Sequence, residues 1–314
     1  MKISVEKINK SFDNNHVLHD VSFEVVSGRA MGFLGRNGSG KTTTIRCIMD
    51  IFKPDSGQIL VDGKKFRPKE YQIGYLPEER GMYAKQKILD QLIYFGQLKG
   101  ASKEESKASA EHWLERFELL EHGKSNLEIL SKGNQQKVQI IQAFLNDPDI
   151  IILDEPFSGL DPVNADLFKK SIRQAIDRGK LVIFSSHQMS YVEEFCDDIT
   201  LIHHGHILIN GSLDLIKSKM GLGKYRLAAL NFTSSELKRV VNQLSFSERL
   251  IVTEDKQSLI IDLDGIEQNY FLGKLLEKKV KIKIFSVFLP TLTDIFLEYV
   301  NENDEIEKGW DTHV

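Results

Sequence analysis

The sequence predicts an α/β fold: a mainly parallel sheet covered by helices on both faces, with β-rich N-terminal strands, a helical subdomain and a small α+β domain towards the C-terminus. Three observations predict it. Ile150-Ile151-Ile152-Leu153 and Leu181-Val182-Ile183-Phe184 are short runs with no polar residue, the pattern of strands buried on both faces. Helical periodicity fills the segments between such runs, and strands alternating with helices imply parallel pairing. Beyond Gly221-Leu222-Gly223 the pattern resets to a second, shorter alternation. A chain of 314 residues has room for one large and one small domain.

Residues 2 to about 34 read as strands, because Val5, Ile8, Val21, Phe23 and Val25 alternate with polar neighbours. The apolar strand 29–34 leads into a glycine-rich segment, and a helix is expected from Lys41. Strands are expected at 58–61 and 73–76, next to the turn signals Asp55-Ser56-Gly57 and Asp62-Gly63. From about 87 to 146 the pattern is helical. Ser102 and Glu105 form a capping-box signature, and Trp113, Phe117 and Leu120 recur at helical spacing as an expected core stripe. Ser131 opens another helix, with Val138, Ile141 and Leu145 on one face, and a further helix starts near Asn164. The larger domain is expected over 1–220.

The smaller domain is expected over 221–300. Strand 225–232, helix 234–244, strands 250–253 and 259–263, helix 266–278 and strand 280–288 give the order β-α-β-β-α-β, a split-βαβ arrangement. The tail 301–314 is acidic and polar and is expected to be disordered, although Trp310 is unusual in such a segment.

Composition narrows the function classes. There are 41 lysine and arginine residues against 45 aspartate and glutamate, net charge −4, so the basic excess of a nucleic-acid binder is missing and no nucleic acid is expected as partner. Cys47 and Cys196 are far apart and read as reduced, buried thiols. The first residues show no secretory signal pattern. No apolar run is long enough to cross a bilayer, so membrane work would need other chains to supply the spanning part.

Gly35-Arg36-Asn37-Gly38-Ser39-Gly40-Lys41-Thr42 matches GxxxxGK[ST], after a strand and before a helix as that motif requires. A triphosphate needs many donors converging on a small volume. Glycines let backbone N–H groups wrap around it, and a helix N-terminus adds positive dipole. Lys41 is placed to reach the β- and γ-phosphates and the Thr42 hydroxyl to ligate magnesium; Thr43 completes the candidate nucleotide-contacting set. The implied cofactors are ATP and Mg2+.

The apolar strand 150–153 ends in Asp154-Glu155. Neighbouring strand residues point to opposite sides, so the two acids are expected to do different jobs from different positions. Asp154 is placed to hold magnesium through water, and Glu155 to polarise an attacking water as general base. His187 follows the second buried strand and Ser185-Ser186, a position from which it would contact the γ-phosphate. His203, His204 and His206 cluster around Gly205, but a turn between strands explains them better than a metal site.

Leu130-Ser131-Lys132-Gly133-Asn134-Gln135-Gln136, just ahead of the acidic strand, resembles the LSGGQ signature of the ABC ATPases, a family of P-loop NTPases. Ser158-Gly159-Leu160-Asp161 looks like its D-loop and Gly74-Tyr75-Leu76-Pro77-Glu78 like its Q-loop. His187 matches its switch histidine, and Phe12 stands where the family places an aromatic ring against adenine. The resemblance covers roughly residues 1–217. It implies two subunits packed head to tail, a second copy or a close paralogue. ATP would lie between the phosphate loop of one and Ser131 and Gly133 at the signature helix of the other, with Asp161 communicating across the interface. It also implies that Glu78 offers an oxygen to the magnesium.

Two departures stand out: LSKGN has Lys132 for glycine and Asn134 for glutamine, and the Q-loop position is Glu78 rather than glutamine. These features, Glu78-Glu79-Arg80-Gly81-Met82-Tyr83 and the small C-terminal domain look like the branch of exporter ATPases with separate membrane subunits, including the sodium-efflux type. The resemblance implies an ATP-hydrolysing, magnesium-dependent subunit at the cytoplasmic face of a bacterial membrane, powering export of sodium, a drug or a peptide through an integral permease. Arg80, Met82 and Tyr83 would be the coupling surface. The alternative is an ABC ATPase of translation or DNA repair. Against it, each motif occurs once and no sustained heptad run is present.

Overall fold

The computed structural model describes residues 1–78, 81–157 and 160–300. They fall into two compact units, Met1–Leu213 and the chain from Asp214 onward. The division lies ahead of the boundary expected at 220/221, so helix 213–220 goes almost wholly with the second unit.

The first unit holds two sheets. β1 (Lys2–Phe12), β2 (Asn15–Val26), β4 (Ser56–Val61) and β5 (Lys64–Lys65) form an antiparallel sheet in the order β2-β1-β4-β5. β3 (Ala30–Leu34), β6 (Ile73–Leu76), β7 (Ile150–Asp154), β8 (Leu181–Ser186), β9 (Asp198–His203) and β10 (His206–Ser212) form the second, in the order β10-β9-β3-β8-β7-β6. Its pairs from β9 to β6 are parallel, and only β9–β10 is antiparallel. One apolar cluster runs through Ile3, Val5 and Phe23 of the first sheet and Phe33, Ile152, Ile183 and Ile202 of the second. α1 (Lys41–Ile48) adds Ile45 and Ile48 to it.

The helical subdomain consists of α2 (Ile88–Leu98), α3 (Lys103–Arg116) and α4 (Lys132–Phe144). The capping box at Ser102 and Glu105 forms in both directions. The expected stripe holds only in part. Phe117 is fully buried and Trp113 half-buried, but Leu120 is 47% exposed. α3 stops at Arg116 and Glu118 takes φ 59, so the helical period is lost and Leu119 is buried in place of Leu120. α5 (Pro162–Asp177) and α6 (Met189–Phe195) complete this unit.

α7 (Leu213–Met220) precedes the second unit's sheet. β11 (Lys224–Ala229), α8 (Ser234–Asn242), β12 (Ile251–Asp255), β13 (Ser258–Asp262), α9 (Gln268–Glu277) and β14 (Ile282–Val287) follow the expected β-α-β-β-α-β order, and the sheet is antiparallel as β12-β13-β11-β14. Leu227, Leu237, Val241, Ile261, Phe271 and Leu275 make its own core. A last helical stretch covers 292–300, and the tail from 301 lies outside the described residues.

One contact fixes how α4 sits on the parallel sheet. A Cβ on Gly74 of β6 would stand 1.9 Å from the carbonyl oxygen of Ala143, so only glycine lets the helix approach this closely. Gly74→Ala is expected to destabilise the larger unit by about 1–3 kcal/mol through overpacking, read as a lower denaturant midpoint. An unchanged midpoint would contradict the packing.

Candidate functional site

Four of the chemically distinctive segments sit at the carboxyl edge of the parallel sheet, where open α/β sheets place their ligands. The glycine-rich loop follows β3, Glu78 follows β6, Asp154 ends β7 and His187 follows β8. β3, β8, β7 and β6 are neighbours in that order, so four distant segments meet.

The loop is braced from outside. Gly205, in the turn between β9 and β10, donates its N–H to the Ser39 carbonyl at 3.0 Å. The Gly35 backbone lies so near the Ile202 carbonyl that a Cβ would come within 2.4 Å of it. The histidine-rich stretch is thus the expected turn, and it serves to hold the loop. Among the described residues no group of three or more histidine, cysteine, aspartate or glutamate side chains is placed to hold a metal ion through protein ligands alone. Gly38 and Gly40 adopt left-handed backbone, φ 80 and 110, and Gly40 is the N-cap of α1.

A cavity of about 380 Å³ is lined by Val17, Asn37, Gly38, Gly40, Lys41, Thr42, Thr43, Glu78, Asp154 and Glu155. Lys41 is 6% exposed. Its ammonium donates to the carbonyls of Gly35 (2.7 Å) and Arg36 (3.2 Å) and stands 3.9 Å from Glu155 Oε1. Burial pulls its pKa below the ordinary lysine value, and Glu155, Asp154 and Glu78 oppose that shift. At an effective dielectric of about 20 the attraction to Glu155 is on the order of 4 kcal/mol, set against the cost of desolvating both groups. One cation therefore faces three carboxylates, which leaves the floor of the cavity acidic.

Both Asp154 and Glu155 face this cavity, which corrects the expectation that neighbouring acids point to opposite sides. Strand geometry ends at Asp154. Glu155 turns into left-handed backbone, φ 49, at a cost of roughly 1–2 kcal/mol. Its carboxylate Oε2 also stands 2.9 Å from His187 Nδ1, so the two candidate catalytic side chains are in direct contact. Asp154 Oδ2, Glu155 Oε1 and Ser39 Oγ are buried without a hydrogen-bond partner. Such orphaned polar atoms are rare in native proteins, and a bound ion, water or ligand is one way to complete them. Asp154 Oδ2 and Glu155 Oε1 share this lining with Thr42 and Glu78, all of them oxygen donors, which would suit a hard divalent cation such as Mg2+. Lys41 and the loop amides suit the phosphates it would accompany.

Other expected site residues lie elsewhere. Ser131 and Gly133 do not line this cavity. Ser131 is the exposed N-cap of α4 and its hydroxyl accepts from the Asn134 N–H at 3.3 Å. No acidic residue stands in that first turn, and Lys132 is exposed there. Phe12 is 38% exposed, edge-on to Phe52 at 5.1 Å, and is also outside the lining. Arg36 is exposed. Asp161 caps α5 by accepting from the Asn164 N–H, while Ser158, Gly159 and Arg80 fall outside the described residues. Met82 is half-buried, and Tyr83, 58% exposed, stacks on Phe95. Sequence reasoning missed Val17 in the lining and Ser185, whose hydroxyl joins Asp154 to Glu155. A polar residue closing the apolar run 181–184 was the available signal for the latter.

The geometry is that of a nucleoside-triphosphate site on a parallel α/β sheet, and the comparisons name the family. The family described as ABC transporter matches residues 18–158, and the C-terminal domain of DrrA1-3-like ATP-binding proteins matches 211–300. The ABC transporter ATP-binding protein YhaQ of Bacillus subtilis is 37% identical over 305 residues, 95% of this chain and 98% of the relative. The ABC transporter ATP-binding protein NatA of the same organism is 38% identical over 202 residues, 63% of this chain and 82% of the relative. A solved ATP-binding subunit of an ABC transporter superposes with TM-score 0.66 at 31% identity, covering 71% of this chain and 94% of that one. The chain belongs to the ATP-binding proteins of ABC transporters, a family of ATP-hydrolysing subunits that power transport. These relatives are transporter proteins and give no support to a translation or repair role. Among the described residues no helix is long and apolar enough to cross a membrane.

Lys41→Ala is expected to abolish binding of a fluorescent ATP analogue, because among the described residues it removes the only cation in the cavity lining. Wild-type affinity in that titration would sink the assignment.

Proposed function

We propose that this chain works as one of a pair of identical or closely related subunits on the cytoplasmic face of a bacterial membrane. There it would drive export through an integral permease. The observation that carries the proposal is the division of labour in the structure. Lys41, Asp154, Glu155 and His187 gather at the sheet edge, while Ser131, Lys132 and Gly133 present an exposed helix N-terminus elsewhere. Head-to-tail pairing would bring the second group of one copy onto the γ-phosphate held by the first group of the other.

Within each site the residues take distinct roles. The loop amides of residues 35–40 and Lys41 bind the phosphates. Thr42, Asp154 and Glu78 would hold Mg2+, which neutralises phosphate charge beside three carboxylates. Glu155 takes the proton of the attacking water, and His187, held 2.9 Å from it, orients that carboxylate and reaches towards the γ-phosphate. The positive end of α4 in the partner, with Ser131, Gly133 and Lys132, stabilises the charge on the γ-phosphoryl group. Phe12 stacks on the adenine. Met82 and Tyr83, with Arg80, meet the permease. Export, of sodium, a drug or a peptide, rests on likeness to the exporter branch in Glu78, LSKGN and the C-terminal domain.

Glu155→Gln is expected to retain nucleotide binding and lower the hydrolysis rate by about 10²–10⁴-fold. It should also trap an ATP-dependent dimer visible by size-exclusion chromatography. A variant that hydrolyses normally would remove Glu155 from the mechanism. Lys132→Gly should weaken ATP-dependent dimerisation, and identical dimerisation would end the case for its cation. Co-purification from membranes should bring down a polytopic membrane protein; ribosome co-sedimentation instead would overturn the transport reading.

A further inference from the structure

Ser185 has no part in the roles above, yet it touches both acids. It is the penultimate residue of β8, opposite Asp154 in the parallel register, and is completely buried. Its hydroxyl donates to Asp154 Oδ1. The same oxygen accepts from the Glu155 N–H at 3.2 Å, and the Ser185 carbonyl accepts from that N–H at 3.3 Å. Ser186, the next residue, is engaged differently: its hydroxyl accepts from the Gln188 N–H at 2.9 Å. The two serines are therefore not interchangeable.

We propose that Ser185 is a positioning residue that sets the geometry of both acids. A hydroxyl supplies one donor and two acceptor sites. Here the donor fixes one Asp154 oxygen and leaves Oδ2, buried and without a partner, directed to its ligand. The acceptor ties the backbone at the point where Glu155 leaves the strand and turns into left-handed conformation. With no hydroxyl, Asp154 Oδ1 would lose this donor. The carboxylate would then be free to rotate, and the Glu155 N–H would keep only its longer bond. Outer-shell partners of this kind tune metal affinity without touching the metal. The inference rests on the proposed assignment of Asp154 to Mg2+ and Glu155 to the attacking water.

Ser185→Thr and Ser185→Val have the same shape and differ in a hydroxyl against a methyl, which isolates the hydrogen bonds from the packing. The measurement is binding of a fluorescent ATP analogue to the full chain over a range of Mg2+ concentrations, with Asp154→Asn as reference. Ser185→Val is expected to raise the Mg2+ concentration for half-maximal binding by roughly tenfold or more, with Mg2+-free binding unchanged, and Ser185→Thr to stay near wild type. If neither branched variant folds in a thermal melt, Ser185→Ala, which removes only the oxygen, is measured in place of Ser185→Val. Equal Mg2+ dependence in hydroxyl-bearing and hydroxyl-lacking variants, with Asp154→Asn impaired, overturns the role of Ser185 alone. Wild-type Mg2+ dependence in Asp154→Asn overturns the assignment beneath it.

Discussion

A buried lysine among three carboxylates is the constraint on which the rest of this site depends. Lys41 is buried beside Glu155, with Asp154 and Glu78 in the same lining. Isolated charges in such a place cost several kcal/mol each. The fold meets this partly by direct bonds, in which loop carbonyls accept from the ammonium. It leaves the remainder unmet: Asp154 Oδ2 and Glu155 Oε1 are buried without hydrogen-bond partners. A chain that keeps unpaired charge at one place must hold it rigidly. The surroundings do so, through Gly205 bonded to the loop, Ile202 packed under Gly35, and Ser185 joining two strand ends. On the proposed reading, Mg2+ bound with ATP would supply the positive charge that these carboxylates lack.

On the proposed pairing, one chain would not make a whole site. Phosphates at the sheet edge would meet Lys41 and the loop amides on one side and would need further donors on the other. The exposed end of α4, without acidic residues in its first turn and carrying Lys132, has donors but no phosphate. In the free chain the Ser131 hydroxyl is occupied with the Asn134 N–H, a bond that caps the helix and that a γ-phosphate would compete with. Gly74 under Ala143 holds that helix hard against β6, so the signature is presented on a stiff platform.

Much of this was legible in the sequence because the signals were local. The glycine-rich loop, the apolar strands 150–153 and 181–184 and the alternating pattern of the second unit each carry their period or spacing within a few residues. What escaped were features created by backbone departures and by tertiary contact. Alternation predicted opposite directions for Asp154 and Glu155, but φ 49 at Glu155 puts both into one cavity. Helical spacing predicted a buried Leu120, but the left-handed turn at Glu118 buries Leu119. The His203–His206 stretch was legible as a turn, but not as a brace for the loop, since that depends on strand order across the sheet.

If each chain holds two separate halves of a nucleotide site, as proposed, hydrolysis needs two chains. The most direct test of this is the specific ATPase activity of the purified chain at saturating magnesium-ATP over a roughly hundredfold range of protein concentration, since assembly obeys mass action. Activity per chain is expected to rise with concentration and then level off. Activity per chain that stays constant and high down to the most dilute sample, where sedimentation finds only monomer, would contradict it.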